Sequence, residues 1–347
     1  MDGRHDCVSA AEAAGTLPFF RESGLRGSPV CSLCKTAPPR PVGELALLIM
    51  RPTYIYQIRT FYSKDTDIDP AYRVLDNSAN ERPDWYEYWP IRRFLLNEQL
   101  NEDALYGFFS PRFKEKTNLS SSAVFDFIAE HGATADVVLF SPSIHLTAYY
   151  WNVFEYGEYC HPGLRLLAEK FFARIGRPSN LKDLVTYSRN EVYSNYFVAT
   201  PRFWRKWLEI TEQLIALAES PTDPLGAELQ QPTDYRGHRE AQIKIFIMER
   251  IPTWLLATER EYEIEVRDPF VVRSRVYKLP AAIVCDALKI SYVQSGRQPQ
   301  YKELFRMVSA GGRLFGLVFR LGNWVGISPI RRALASLSSY WTKAGDA

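Results

Sequence analysis

Apolar and aromatic residues fall into short runs separated by polar stretches that contain Pro, Gly or Asp. From Tyr54 the run YIYQIRTFY is rich in aromatic and β-branched residues, and the Asp-rich stretch 63–70 follows it. That pattern predicts a strand and its exit loop. A second strand is expected over 72–75, ending at Asp76 and Asn77, and then a helix over 85–96, where apolar residues recur at helical spacing. The apolar runs 105–110 and 136–140 predict two more strands around a helix at 121–131. Helical spacing returns over 163–175, 202–219 and 238–257, and residues 193–199 form another strand-like run. Strand, polar loop and helix in alternation is an α/β pattern.

The two ends of the chain differ from this middle. Residues 1–49 carry scattered Gly, Ala and Pro without periodicity, which predicts a poorly ordered leader, with the information for folding starting near Met50. The α/β domain is expected over 50–260, and a helical C-terminal region over 261–347. Between Gly311 and Trp341, Arg313, Arg320, Arg331 and Arg332 are interleaved with Leu, Phe, Val and Trp324. Such a segment can lie in a membrane interface, or can pack its apolar face on the domain, and amphipathicity alone does not separate the two. Nowhere does an apolar run reach the roughly 18 residues a spanning helix needs, and no signal-peptide arrangement is seen.

Composition narrows the partners. A net charge of +2 carries no basic footprint for nucleic acid at the level of the whole chain. Five cysteines at irregular spacing argue against a secreted disulfide framework and for a reducing, cytoplasmic setting. Cys31 and Cys34 make one C-x-x-C with only Cys7 and His5 upstream, too few ligands for an ordinary structural zinc site. Aromatic residues reach 14%, and their flat amphipathic rings suit either a sugar-binding cleft or a Tyr-rich core.

Two stretches hold the candidate chemistry. In LDNSANERPDWYEYWPIRRFL, residues 75–95, a strand ending in Asp76 and Asn77 puts polar groups at the carboxyl edge of a sheet, where α/β folds bind ligands. Glu87, Arg92 and Arg93 follow within two helical turns, as hydrogen-bonding groups for sugar hydroxyls and phosphate or as a solvated charged face. In YYWNVFEYGEYCHPGLRLL, residues 149–167, Glu155, Glu158 and His161 offer a carboxylate or imidazole base, or a metal-ligand set. The Asp65, Asp67 and Asp69 series has the Asp-x-Asp form that holds a divalent ion on a diphosphate, and equally the form of turn chemistry. No phosphate loop, dinucleotide fingerprint, G-x-S-x-G elbow or H-E-x-x-H motif is present, which removes support from common kinase, dehydrogenase, serine hydrolase and zinc protease readings.

The order of these motifs resembles that of bacterial glycosyltransferase-like domains of capsule and O-antigen synthesis. The resemblance covers about residues 50–260. It lies in the N-terminal strand, in N-x-x-x-x-x-x-E-x-x-P-x-R from Asn80 to Arg92, and in YGFFSPRF over 106–113. It continues in E-x-x-E-x-x-H from Glu155 to His161, in SNYFVA over 194–199 with the aromatic helix after it, and in FIMERI over 246–251. The resemblance implies a GT-A-like nucleotide-sugar-binding domain with a helical C-terminal appendage, moving a sugar from a nucleotide-sugar donor to a growing cell-surface glycan or a lipid-linked acceptor. It implies donor contacts at Gln57, Asp76, Asn77, Glu87, Arg92, Ser110, Asn195, Glu249 and Arg250, and Glu155 or His161 as the base. It assigns no protein metal ligand and leaves open a role for Mg²⁺ or Mn²⁺, while the near-neutral charge predicts no nucleic-acid partner and the C-terminal arginines predict a peripheral contact with the inner membrane. The sequence departs from the family in Ser110-Pro-Arg after Phe109 and in lacking Asp-x-Asp after an apolar strand. A non-catalytic sugar-binding or scaffolding protein with the same fold is the alternative.

Overall fold

Six short strands form one mixed sheet in the computed structural model, which describes residues 51–61, 63, 68–141, 147–233, 241–270 and 279–324. The expected leader over 1–49, Asp65, Asp67, Cys31, Cys34, Arg331, Arg332 and Trp341 lie outside the described residues. The strands are β1 (Thr53–Thr60), β2 (Arg73–Asn77), β3 (Leu105–Phe109), β4 (Val137–Leu139), β5 (Phe197–Ala199) and β6 (Ile264–Val266). They lie in the order β2-β1-β3-β5-β4-β6. β1 is parallel to both β2 and β3, with Ile58 beside Leu75 and Ile55 beside Gly107. β4 and β6 are parallel, and β5 runs antiparallel to β3 and β4 between them. The protein is α/β, and its sixth strand lies beyond residue 260.

Alternation along the strands divides the core into two faces, because successive side chains point to opposite sides of a sheet. Tyr106 and Phe108 of β3, Val137 and Leu139 of β4, and Phe197 and Ala199 of β5 enter one cluster. Leu105, Phe109, Val138 and Val198 enter the other. The first face is covered by α1 (Tyr88–Asn97), α4 (Val153–Cys160), α5 (Leu164–Arg174), α6 (Pro201–Ala218), α7 (Pro224–Leu229), α8 (Ile243–Met248) and α9 (Ile251–Thr258). The second face is covered by α2 (Phe113–Thr117) and α3 (Ser121–His131), with the Phe113 ring stacked on Phe109 at 4.0 Å. Trp204 of α6 donates from Nε1 to the Tyr106 carbonyl at 2.9 Å and fixes that helix on β3.

The helix expected over 238–257 is two helices. Pro252 sits in the first turn of α9 and has no N–H to give the Met248 carbonyl, so the ladder stops between them. After β6 come α10 (Leu279–Gln294) and α11 (Pro299–Trp324), which pack on each other. Ala282, Cys285, Tyr292 and Phe305 of this pair join a third cluster with Tyr149, Tyr150, Trp151, Tyr156 and Val185. Gly312 lies against the Tyr149 ring, which a Cβ there would strike. Among the described residues no helix is long and apolar enough to cross a membrane.

The tightest approach within the sheet is at Gly107, where a Cβ would come 2.8 Å from Cγ2 of its partner Val198. Gly107→Ala is therefore expected to destabilise the protein by about 1–3 kcal/mol through overpacking, and urea unfolding with an unchanged slope and a lower midpoint would record it.

Candidate functional site

β1 sends the chain to β2 on one side and to β3 on the other, so the strand order reverses between β1 and β3. In open α/β sheets ligands bind outside the carboxyl ends of the strands at such a point. Gln57 of β1 is buried there; its Nε2 donates to the Ser110 and Pro111 carbonyls at 3.4 and 3.3 Å, and its Oε1 accepts from the Asp69 N–H at 2.7 Å. Asp69 in turn accepts from the Ala71 N–H, which is turn chemistry, and from the Ser121 hydroxyl at the start of α3.

Because β5 is antiparallel, its amino end stands at this same edge. Tyr196, just before β5, is buried and shares a 2.5 Å hydrogen bond with the Ser110 hydroxyl. Ser194 and Asn195 are both left-handed, at φ 60° and 55°, an uncommon backbone for side chains other than glycine. Lys116 of α2 donates from Nζ to Ser194 Oγ at 3.3 Å and lies over the Tyr196 ring at 5.5 Å.

Glu87 approaches from the loop before α1. It is half-buried, and its carboxyl makes no hydrogen bond or ion pair among the described residues. Burial pushes its pKa up to about 7; the Glu249 charge pushes the same way, and Lys116 opposes both. Burial also raises the Tyr196 hydroxyl, and the Glu87 charge adds to it, so the two groups share one electrostatic environment. The preceding residue, Tyr86, holds φ 47° and ψ −131°, a sparsely populated combination of the kind that gathers at functional sites. A carboxyl that titrates near neutrality can take or give a proton, and a nearby ammonium can stabilise a departing phosphate.

The fold thus brings Gln57, Glu87, Ser110, Asn195 and Glu249 to one edge of the sheet, and adds Lys116 and Tyr196. Neither is singled out by residue in the sequence: Lys116 sits in a charged Lys-Glu-Lys run, and Tyr196, within SNYFVA, looks like any aromatic at a strand start. Asn77, in register with Thr60, lies at the end of edge strand β2; its side chain is buried, with Oδ1 lacking a hydrogen-bond partner among the described residues. Asp76 is exposed, and the Ser78 N–H that it accepts at 3.0 Å holds its carboxyl below the usual range.

Four other expected site residues are committed to the scaffold. Arg92 donates from Nε and Nη2 to both Glu212 oxygens, at 2.5 and 2.7 Å, tying α1 to α6. Asn152 caps α4 by accepting from the Phe154 and Glu155 N–H groups, and Glu155 accepts from the Trp151 N–H just before the cap. His161 is buried and stacked on Phe246 at 3.7 Å, with Nδ1 3.3 Å from Thr233 Oγ1. Glu158 caps the next helix by accepting from the Gly163 and Arg165 N–H groups. The spacing of Glu155, Glu158 and His161 is thus matched by two helix starts and a packed ring.

Arg250 is buried as well. Its Nε donates to the Val153 carbonyl at 3.0 Å and its Nη1 to the Phe246 carbonyl at 2.6 Å, and the guanidinium fills the space that Gly157 leaves. No group of three His, Cys, Asp or Glu placed to hold a metal ion is found among the described residues. No protein-family model matches the chain, and neither a curated protein nor a solved structure matches it.

Two measurements check these assignments. A carboxyl whose pKa is raised on folding lowers stability as pH climbs from its unfolded value, about 4.3, through its folded one. Glu87→Gln is accordingly expected to gain about 1–2 kcal/mol at pH 8, discounted for partial exposure, and almost nothing at pH 4, as read from urea midpoints at both values. Arg250→Met leaves two buried carbonyls without their donor and should lose about 2–4 kcal/mol whatever its effect on activity.

Proposed function

We propose that this protein is a glycosyltransferase of GT-A type that moves a sugar from a nucleoside-diphosphate sugar to a growing surface glycan, with residues 279–324 as its helical appendage. The observation that carries the reading is the gathering of Glu87, Lys116, Tyr196 and Ser110 at the β1/β3 switch point, the place where an α/β sheet receives a ligand. Glu87 serves as the base. With a pKa near neutrality it takes the proton of the acceptor hydroxyl as that oxygen bonds to the anomeric carbon, and the carbon–oxygen bond to the diphosphate breaks. Lys116 meets the charge that develops on the leaving phosphate. A divalent ion, Mg²⁺ or Mn²⁺, would share that task when present.

Glu155 and His161, the bases that the sequence offers, serve here as cap and packing, which leaves Glu87 as the better-placed carboxyl. Gln57 and Ser110 shape the donor pocket, and Glu249 keeps the Glu87 proton affinity high. The acceptor is a glycan or lipid-linked glycan at the cytoplasmic side of the inner membrane.

A thermal-shift panel of nucleoside diphosphates, with and without Mg²⁺ or Mn²⁺, is expected to show stabilisation by at least one of them. Glu87→Gln should keep that shift and lose transfer by about 10²–10⁴, while Lys116→Met should weaken the shift itself. Silence across the whole panel would sink the reading, and binding without turnover for the unaltered chain would favour a sugar-binding scaffold.

A further inference from the structure

Helix α10 is inside out. Its two charged residues, Asp286 and Lys289, are 3% and 0% exposed, while Ile283, Val284 and Ala287 face outward. The buried charges are answered by the domain: Asp286 accepts from the Ser188 N–H and hydroxyl at 2.8 and 2.6 Å, and Lys289 Nζ donates to the Tyr150 carbonyl at 3.2 Å. α11 has the ordinary polarity for its charges, with Glu303, Arg306 and Arg313 exposed, but adds to the outward aliphatic set. It buries Phe305 and Ser309 and exposes Leu304, Met307 and Ala310, with Met307 at 72%. The pair thus docks on the domain partly through polar groups, and leaves aliphatic side chains in contact with water. In α10 this reverses the polarity of an ordinary surface helix.

The charge of the sequence around this pair says what covers it. From Val271 to the C-terminus the chain carries twelve Lys or Arg and three Asp or Glu, whereas residues 1–270 carry thirty and thirty-seven. Lys289 and Asp286 are buried, Arg306 is paired with Glu303 and Lys302 with Asp183, which leaves nine cations and one acid in that part of the sequence. A near-neutral protein therefore has a cationic C-terminal sequence that includes a helix pair exposing Ile283, Val284, Leu304 and Met307, and such asymmetry marks nucleic-acid or membrane contact. Nucleic acid would use the cations but has no use for Ile283, Val284, Leu304 and Met307. A bilayer surface uses both, taking aliphatic side chains into the acyl boundary and cations among anionic headgroups.

We infer that the α10–α11 pair is a membrane-docking surface, which lays Ile283, Val284, Leu304 and Met307 on an anionic bilayer. It deepens the lipid-linked acceptor of the proposed function but stands on exposure and charge alone. Arg313, counted at first among the cations for the membrane, donates to the Tyr149 carbonyl at 3.2 Å and lies 3.7 Å from Glu155, so it holds α11 to the domain instead.

Full-length protein is mixed with vesicles of phosphatidylglycerol and phosphatidylethanolamine, or of phosphatidylcholine alone, and sedimented. Binding to the anionic vesicles that weakens with salt, and that falls at least about tenfold in the I283Q/V284Q/L304Q/M307Q variant with no loss of urea stability, is the expected result. Equal vesicle binding by variant and parent overturns the inference. So does a parent that ignores vesicles but binds RNA, or that forms a dimer by light scattering which the variant lacks. The nucleoside-diphosphate thermal shift on the same samples keeps the two proposals apart: vesicle binding without that shift leaves the surface standing while the transferase reading falls.

Discussion

β5 runs against its two neighbours, and its direction decides what stands at the carboxyl edge of the sheet. Between β4 and β5 the chain makes a long excursion through α4 and α5, and returns to insert three residues between β3 and β4. Had those residues run parallel, Thr200 would meet the ends of β1 and β3, and Tyr196 would lie at the opposite edge. Running antiparallel, they put Ser194, Asn195 and Tyr196 beside Ser110 and Lys116. Gly107 permits the insertion, since Val198 occupies the space that a side chain there would need. The position of α6 follows from the same pairing, because Trp204 is bonded to Tyr106 and stacked on Phe197 at 4.7 Å.

Much of this fold is legible in the sequence, for physical reasons that also set the limits. The strands at 53–60 and 105–109 and the helix Ser121–His131 announce themselves because their burial pattern is one-dimensional: aromatic and β-branched runs, a Ser120 cap, an apolar stripe. Strand direction does not. Nothing within Phe197–Ala199 distinguishes parallel from antiparallel, because three fully buried apolar residues satisfy either ladder. The short helices Phe113–Thr117 and Pro224–Leu229 are also hard to foresee, as five or six residues are less than two turns of periodicity.

The site was legible in part for a related reason. Glu87, Ser110 and Asn195 could be picked out because each ends or starts an element, and element ends gather at sheet edges. Glu155 and His161 attract attention because their residue types are those of catalysis, yet caps and ring stacks use the same types. Arg250 shows the difficulty most clearly. An arginine beside a glutamate in an apolar run invites a ligand, and only the contact with Gly157, some ninety residues away in sequence, shows that the guanidinium bonds two carbonyls. Inverted polarity in α10 escapes periodicity for the opposite reason, since its charges and its aliphatic residues have exchanged their usual sides.

A strained residue persists only where its surroundings over-determine it, and the segment before Glu87 has such surroundings. Arg82 donates to Asp84 through Nε and Nη2 at 2.9 Å and also meets Glu219, which accepts from Trp85 Nε1 at 3.0 Å. Lys244, itself buried, donates to Asp84 at 2.8 Å and lies over the Trp85 ring at 4.1 Å. Glu219 at the end of α6 and Lys244 of α8 thereby grip the turn Pro83–Trp85. With Trp85 locked on one side and α1 tied to α6 by Arg92 on the other, the backbone between has one path, and Tyr86 takes up its strain. Glu87 is delivered to the sheet edge by that path. The scaffold charges around Asp84 and Glu212 are paired, whereas the Glu87 carboxyl is held by backbone geometry without a hydrogen bond among the described residues. A carboxyl fixed in place with no hydrogen bond among the described residues, and with Lys116 as its neighbouring charge, fits the base that the proposed transfer needs.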